Sequence, residues 1–345
     1  MRIAVDGMGG DYAPHNIVVG TVSALRENPR ISRLYLVGDP ARLQAELDRL
    51  QFRDSRLEIV PASEVIAMDD PPVQSVRRKP DSSMCRAIDL VKKRDADAVV
   101  SAGNTGALLT AAHLKLRTLD GVDRPGLAAV LPAPHNEFVL MDCGANLEPH
   151  PTNLVQYGIM GSLYARQILH YPNPRVAVLS IGSEDMKGNE LTLEAHRLLK
   201  ATGLNFVGNI DGHDLFDNVA DVIVTDAFVG NAVLKACEST ARVVARWLKQ
   251  ELKRNPVRML GGLLARGAFR DLRRKVDPDE HGGAVLLGVN GVCIKAHGAS
   301  SPLAVKNAIR LATEFVEGQF NEHIVEEMRR FHEKIGHNQL AQSPL

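Results

Sequence analysis

The stretch DADAVVSAGNTGA, residues 95–107, decides the fold, because it joins a strand-like apolar run to a glycine-rich loop and the start of a helix. Short β-branched runs of the same kind alternate with longer helical patterns along most of the chain. Strands that alternate with helices form a mostly parallel sheet covered on both faces. The sequence therefore predicts an α/β fold.

The other elements follow the same rhythm. The strand-like runs span 2–6, 33–39, 57–62, 97–103, 127–133, 138–144, 175–182, 204–210, 220–226 and 284–298. The clearest helical patterns span 16–29, 41–50 and 231–254. No internal repeat or low-complexity linker interrupts them. We therefore expect one α/β unit of residues 1–345, with two lobes dividing near residue 170 as the alternative.

Composition excludes several classes of protein. The 345 residues carry 41 basic and 41 acidic side chains and only 4% aromatic residues, which speaks against nucleic-acid binding. The four cysteines are far apart and form no Cys-x-x-Cys pair, as is usual in a reducing cytosol. Met1 leads directly into a predicted strand, so we expect no signal peptide. No apolar run approaches the ~18 residues of a membrane span. We expect a cytoplasmic protein that at most touches a membrane surface.

Many of the predicted strands end in loops rich in glycine and asparagine. They read DGMGGD (6–11), SAGNTG (101–106), DCGAN (142–146), SIGSEDMKGNE (180–190), GNIDG (208–212), DAFVGN (226–231) and KAHGASS (295–301). Ligands of parallel sheets collect at the carboxyl ends of the strands. We therefore expect these loops to meet at one edge of the sheet.

The loop SAGNTGA has the composition of an anion cradle. Gly103 and Gly106 permit close approach of the backbone, so that successive N–H groups can face one anion. Asn104 and Thr105 add side-chain donors, and the helix that follows directs its positive end to the same place. The alternative is a plain strand-to-helix turn with an Asn/Thr cap.

The first loop, DGMGGD, is not a nucleotide fingerprint. Tyr12 stands where a dinucleotide-binding motif needs its third glycine, and no Gly-Lys-Ser/Thr follows. Asp6 and Asp11, which flank the glycines, would repel a pyrophosphate. The pattern indicates a tight turn that lines the crevice.

Three later loops carry candidate polar groups with open alternatives. Lys187 is a point charge for phosphate or an oxyanion, or a solvated lysine in an acidic loop. Asn231 is a substrate contact or a helix N-cap. His297 is a base, a phosphate ligand or a turn histidine. Cys143 has no activating neighbour in its motif, so we expect a small buried side chain.

Residues 253–275 concentrate positive charge in a neutral protein. They hold eight basic residues against Asp271 alone. On one continuous helix, Leu260, Leu263, Leu264 and Ala268 would share an apolar stripe with the arginines set apart from it. This pattern suits an anionic membrane surface or an acidic partner. The alternative is a helix packed on a second subunit.

Nine motifs in order resemble those of the bacterial phosphate acyltransferases, which make acyl phosphate from acyl carrier protein thioesters and orthophosphate in phospholipid synthesis. They are DGMGGD, RRKPDSSM (77–84), SAGNTGA, DCGAN, SIGSEDMKGNE, GNIDG, DAFVGN, HGGAVLLGVNG (281–291) and KAHGASS. The resemblance implies a three-layer α/β/α fold like that of isocitrate and isopropylmalate dehydrogenases. It implies a homodimer without cofactor or metal, associated peripherally with the inner face of the cytoplasmic membrane. The implied partners are acyl carrier protein, orthophosphate and a downstream glycerol-phosphate acyltransferase.

The motifs nominate the site residues. The candidate catalytic residues are Lys187, Asn231, Asn104 and His297. The candidate phosphate- or substrate-binding residues are Asp6, Gly9, Gly10, Ser101, Gly103, Thr105, Gly106, Asn146, Gly188, Gly230 and Lys295. The candidate membrane or carrier-protein contacts are Arg258, Leu260, Leu263, Leu264, Arg266, Arg270, Arg273 and Arg274.

Three other functions remain open at the level of sequence. An NAD-dependent hydroxy-acid dehydrogenase would need a nucleotide loop and metal-binding aspartates, and neither is clear. A coenzyme A-dependent phosphate acetyltransferase would differ in its acyl donor. A non-catalytic adaptor would use residues 253–275 to hold other enzymes at the membrane. Arg77, Arg78 and Lys79 suit phosphate, carrier protein or a structural role equally.

Overall fold

The computed structural model describes residues 1–341, except for the side chains of Arg273, Val276, Pro278 and residues 335–341. Within this part, eleven strands form one sheet. They are β1 Arg2–Asp6, β2 Arg33–Gly38, β3 Leu57–Pro61, β4 Ala98–Ser101, β5 Gly126–Pro132, β6 Glu137–Met141, β7 Val176–Leu179, β8 Phe206–Ile210, β9 Val222–Val224, β10 Ala284–Leu287 and β11 Val292–Lys295.

Helices cover both faces of the sheet. They are α1 His15–Glu27, α2 Pro40–Arg49, α3 Pro72–Arg78, α4 Ser83–Lys92, α5 Thr105–Leu116, α6 Pro151–Gln167, α7 Glu190–Lys200, α8 Ala227–Leu252, α9 Pro256–Leu264, α10 Arg266–Val276, α11 Pro278–His281, α12 Pro302–Glu317 and α13 Phe320–Ala341, with a short 3₁₀ turn at Asp214–Phe216.

The sheet has the order β3-β2-β1-β4-β11-β10-β5-β6-β9-β7-β8. Most neighbouring strands are parallel, which confirms the predicted α/β fold. The predicted single run 284–298 is wrong, because it folds into two antiparallel strands, β10 and β11. Gly288 and Gly291 have positive φ values of 89° and 147°, which permit the turn between them. The division into lobes near residue 170 stays a prediction.

The strand ends do not all meet at one edge, so that expectation is wrong. β10 runs antiparallel to β11 and β5, and β5 runs antiparallel to β6. As a result, β6, β7, β8 and β9 run in the opposite direction to β1, β4 and β11. The loops after β1, β4 and β11 therefore share one edge, and the loops after β6 to β9 begin at the opposite edge.

Alternating side chains fill a core on each face of the sheet. Ile3 and Val5 of β1 join one apolar cluster with α1, α6 and α12, whereas Ala4 joins a second with α4 and α5. Helix α8 covers the second cluster only in part, through Val233, Leu234 and Cys237. Because the strands are packed on both faces, their ends hold the connecting loops in fixed positions.

The basic segment forms two helices rather than one. Helix α9 ends and α10 begins at Ala265, so the apolar stripe drawn from Leu260 to Ala268 is interrupted and that expectation is wrong. Leu263 and Leu264 are 64% and 80% exposed. The side chain of the predicted contact Arg273 lies outside the described residues. Among residues 1–341 we find no helix long and apolar enough to cross a membrane.

Candidate active site

A cavity of about 140 Å³, here called the Lys295 cavity, lies between the ends of β4 and β11 and the first turns of α8. Its polar lining residues are Thr105, Asn231, Lys235, Glu238, Asp279, His281, Lys295, His297 and Ser300. Four of these, Thr105, Asn231, Lys295 and His297, are candidates from the sequence. The cavity therefore joins residues from both groups of loops, because α8 starts beyond β9 and crosses the sheet face.

Lys295, the last residue of β11, is the most unusual group in the cavity. It is only 7% exposed, and its Nζ donates a hydrogen bond to the carbonyl oxygen of Ala296. Burial, followed by repulsion from Lys235, lowers the pKa of Lys295 to about 8. A buried ammonium group with one carbonyl partner keeps donors for an anion.

Ser300 adds a donor that, unlike Lys295 Nζ, has no hydrogen-bond partner in the described part of the chain. It is 3% exposed, and its Oγ has no hydrogen-bond partner among the described residues. His297 lies on the same loop, and its Nδ1 accepts a hydrogen bond from the backbone N–H of Ala299 at 3.1 Å. Burial and the nearby Lys235 lower the pKa of His297. The neutral imidazole that this favours would carry its proton on Nε2.

Helix α8 brings three side chains to the cavity. Asp226, not Asn231, is its N-cap, because the Asp226 carboxylate accepts from the Val229 N–H at 2.9 Å. Asn231, Lys235 and Glu238 follow at helical spacing and line the cavity, with Lys235 Nζ 3.0 Å from Glu238 Oε2. Lys235 and Glu238 lie outside the motifs that nominated the candidates, although their spacing from Asn231 places them on its face of the helix.

Asp6 holds the loops of this edge together. It is 1% exposed and accepts hydrogen bonds from Ser83 Oγ at 2.6 Å and Ser101 Oγ at 2.7 Å. Ser101 Oγ in turn accepts from the Gly103 N–H at 3.0 Å. Burial raises the pKa of Asp6. A Cβ on Gly9 would overlap the Asp6 carboxylate and lie 2.8 Å from the nitrogen of Gly103.

The loops after β1 and β11 also meet through their backbones. Gly10 has a φ of 102°, and a Cβ there would lie 2.9 Å from the carbonyl oxygen of Gly298. The Asp11 N–H donates to that oxygen at 2.8 Å. Three predicted binding residues, Asp6, Gly9 and Gly10, thus lie in the support of the cavity and do not line it.

Asn104 serves the local structure. Its Oδ1 caps α5 by accepting from the Ala107 N–H at 3.0 Å, and its Nδ2 donates to Met68 O at 2.9 Å and Asp70 O at 3.0 Å. At Gly106 a Cβ would lie 2.6 Å from Pro72 Cγ. Thr105, the first residue of α5, lines the cavity. Of the loop SAGNTGA, Thr105 is therefore the residue that lines the Lys295 cavity.

Three remaining candidates follow strands of the reversed half of the sheet, and the carbonyl oxygen of Asn146 accepts from the N–H of Ala227, the first residue of α8, at 3.0 Å. Asn146 donates to Pro125 O at 2.6 Å. Lys187 and Gly188 belong to the loop after β7, where Lys187 is exposed and lines no described cavity. The roles of Asn146, Lys187 and Gly188 in binding or catalysis stay predictions.

Two residues of the DCGAN loop have structural roles. The Asp142 carboxylate accepts from the N–H groups of Leu127, Gly144, Ala145 and Asn146. Cys143 is 2% exposed, and burial raises the pKa of its thiol far above the usual range. A thiol in this state is a poor nucleophile, as the sequence indicated.

Comparison with known proteins decides the family. A family model described as fatty acid synthesis protein matches residues 1–323. The chain is 47% identical to the phosphate acyltransferase of Akkermansia muciniphila over 96% of both chains. It is 42% identical to that of Clostridium novyi over 95% of this chain and 100% of the relative. The chain belongs to this family.

Family membership makes the chain an acyltransferase of fatty acid and phospholipid synthesis, which confirms the predicted enzyme class. It overturns the dehydrogenase and the non-catalytic adaptor as alternatives. Solved structures agree on the fold alone. A phosphotransacetylase from Streptococcus pyogenes aligns with a TM-score of 0.60 at 18% identity, covering 92% of this chain and 94% of that one. A branched-chain phosphotransacylase from Enterococcus faecalis gives 0.58 at 14% identity, covering 92% and 99%.

Proposed function

We propose that this enzyme transfers a long-chain fatty acyl group from acyl-[acyl carrier protein] to orthophosphate and releases acyl phosphate. The observation that carries the proposal is the Lys295 cavity, where a nearly buried lysine and an unpartnered serine hydroxyl converge. The names of the curated relatives support phosphate as the acceptor. The cavity is small enough to favour a compact anion.

The donors for phosphate would come from four positions. Lys295 supplies charge, Ser300 and Thr105 supply hydroxyl groups, and Asn231 supplies an amide. Asp6, Ser101, Gly9, Gly10 and Gly103 act by fixing the loops that carry these donors. Glu238 forms an ion pair with Lys235, which offsets the repulsion between its carboxylate and a bound phosphate.

The reaction needs positioning more than activation. One oxygen of orthophosphate attacks the thioester carbonyl carbon, a C–O bond forms, and the carbonyl oxygen gains negative charge. The C–S bond then breaks, acyl phosphate leaves, and the thiolate of the carrier takes a proton from water. A cavity that fixes phosphate beside the thioester supplies the proximity, and Lys295 or His297 can stabilise the oxyanion. Lys187, which lies on the loop after β7, stays a proposed contact of the phosphate or the oxyanion.

Donor choice tests this proposal. We expect purified enzyme with ³²P-orthophosphate to form acyl phosphate from palmitoyl-[acyl carrier protein] and to use palmitoyl- and acetyl-coenzyme A poorly. The ³²P label recovered in acyl phosphate after its separation from free orthophosphate quantifies the product. Preference for acetyl-coenzyme A would instead support phosphate acetyl transfer. Absence of product with all three donors would contradict the function.

The same proposal includes contact with an anionic membrane surface through residues 253–275, homodimerisation, and delivery of product to a downstream acyltransferase. Eight basic residues and the exposed Leu263 and Leu264 support the membrane contact. Leu264→Glu should weaken flotation with phosphatidylglycerol vesicles by on the order of tenfold. Leu114→Glu is the control, since Leu114 is a 52% exposed leucine on α5. Equal flotation of both variants and wild type would contradict the contact.

A further inference from the structure

A second cavity, here called the hairpin groove, has a volume of about 840 Å³. It lies among the β5–β6 hairpin, the end of α6, and helices α10, α11 and α12. Its larger apolar lining residues are Val130, Tyr164, Ile168, Leu169, Leu303 and Leu311, beside Pro132, Ala133 and Pro134 of the hairpin. The volume falls in the range of roughly 300–1,000 Å³ that is usual for sites that enclose an organic ligand.

The hairpin groove adjoins the Lys295 cavity, because Val130 and His281 line both. Gly282 and Gly283 also line the Lys295 cavity, directly after His281 and before β10 begins. The two cavities thus meet where β5 extends past the start of β10. The Lys295 cavity lies on the face of the sheet covered by α5 and α8, and the hairpin groove lies on the face covered by α6 and α12. A molecule that occupies both must therefore pass the end of the sheet beside Val130 and His281.

Two buried polar atoms of the groove lack partners. His281 Nε2 and Asn136 Oδ1 make no hydrogen bond within the described residues, while His281 Nδ1 lies 3.5 Å from Glu137 Oε1. The charged lining residues are Arg274, Lys275, Lys306 and Arg310 against Glu137, Glu280 and Glu314. The groove thus combines an apolar lining with polar groups, as amphiphilic ligands require.

We propose that the hairpin groove holds the acyl chain of the donor, an inference that rests on the proposed function. The Lys295 cavity, at about 140 Å³, is below the size of an organic-ligand site and cannot also enclose a long chain. The thioester lies at the boundary formed by Val130 and His281. The acyl chain then runs along Leu303, whose side chain is exposed, and along Ile168 and Leu169, whose side chains are partly buried.

Leu303→Trp tests the groove. A larger ring there shortens the space, so the ratio of kcat/KM for palmitoyl- over butyryl-[acyl carrier protein] should fall by on the order of tenfold or more. Leu193→Trp is the matched control, since Leu193 on α7 is 38% exposed and Leu303 is 37% exposed. The control should keep the wild-type ratio. If Leu303→Trp does not fold, Leu169→Trp carries the same expectation.

The outcomes separate the inference from the proposed function. Wild-type product with an unchanged chain-length ratio in the folded groove variants would overturn the groove and leave the function standing. Absence of acyl phosphate from either donor with the wild-type enzyme would overturn the function itself. A lower ratio in the groove variants but not in Leu193→Trp supports both.

Discussion

Replacing Lys295 with methionine lowers kcat/KM for orthophosphate by on the order of 10²–10³. Lys295 is the one nearly buried cation of the Lys295 cavity, and methionine keeps most of its volume while removing its charge. Initial rates of ³²P-labelled acyl phosphate formation at varied phosphate concentration measure the effect. Lys115→Met is the matched control, since Lys115 on α5 is half-buried beside Asp89 and lines neither cavity.

The charge of Lys295 also gives a pH dependence. Only the protonated ammonium attracts phosphate, and its pKa is lowered to about 8. We therefore expect the KM for orthophosphate to rise as the pH passes upward through about 8. Lys295→Arg should remove this rise, because a guanidinium stays protonated throughout that range. A KM that is flat between pH 7 and 9 in the wild type would contradict the assignment.

Replacing Gly230 with alanine destabilises the fold by roughly 3 kcal/mol. A Cβ on Gly230 would overlap the carbonyl oxygen of Asp142 and lie 3.0 Å from its carbonyl carbon, so α8 would have to shift away from the loop after β6. Both atoms belong to a backbone fixed by the four hydrogen bonds of the Asp142 carboxylate. The midpoint of denaturant unfolding measures the loss.

Gly261→Ala provides the comparison for Gly230. Nothing lies within 4 Å of a Cβ on Gly261, and alanine favours a helix over glycine by roughly 0.5–1 kcal/mol. We expect Gly261→Ala to match or exceed wild-type stability. Equal unfolding midpoints for the two variants would show that α8 is not held against Asp142 as described.

The sequence predicted the unit of β4, loop and α5 because its signals are local. Apolar β-branched residues precede Gly103, and Asn104 precedes the helix as a cap. The reversal of half the sheet was missed because periodicity carries no strand direction. The turn glycines Gly288 and Gly291 were visible, but parallel and antiparallel continuations fit the same run.

The candidate site was predicted in part for a related reason. Loop residues such as Lys295 and His297 stand out by motif, whereas Lys235 stands out only once α8 is laid over the sheet. Asn104 lies in a glycine-rich loop that is typical of a substrate-binding residue, yet its side-chain amide hydrogen-bonds to backbone groups of the protein itself. Whether a polar side chain caps a helix or faces a cavity depends on its tertiary neighbours, which no short stretch of sequence contains.

The phosphate site is tested most directly by the steady-state reaction of palmitoyl-[acyl carrier protein] with orthophosphate in wild type, Lys295→Met and Lys187→Met. We expect acyl phosphate from the wild type and, in Lys295→Met, a loss of activity that appears in the dependence on phosphate concentration. Near-normal phosphate dependence in folded Lys295→Met, with the loss confined to Lys187→Met, would contradict this expectation and move the phosphate site to the loop after β7.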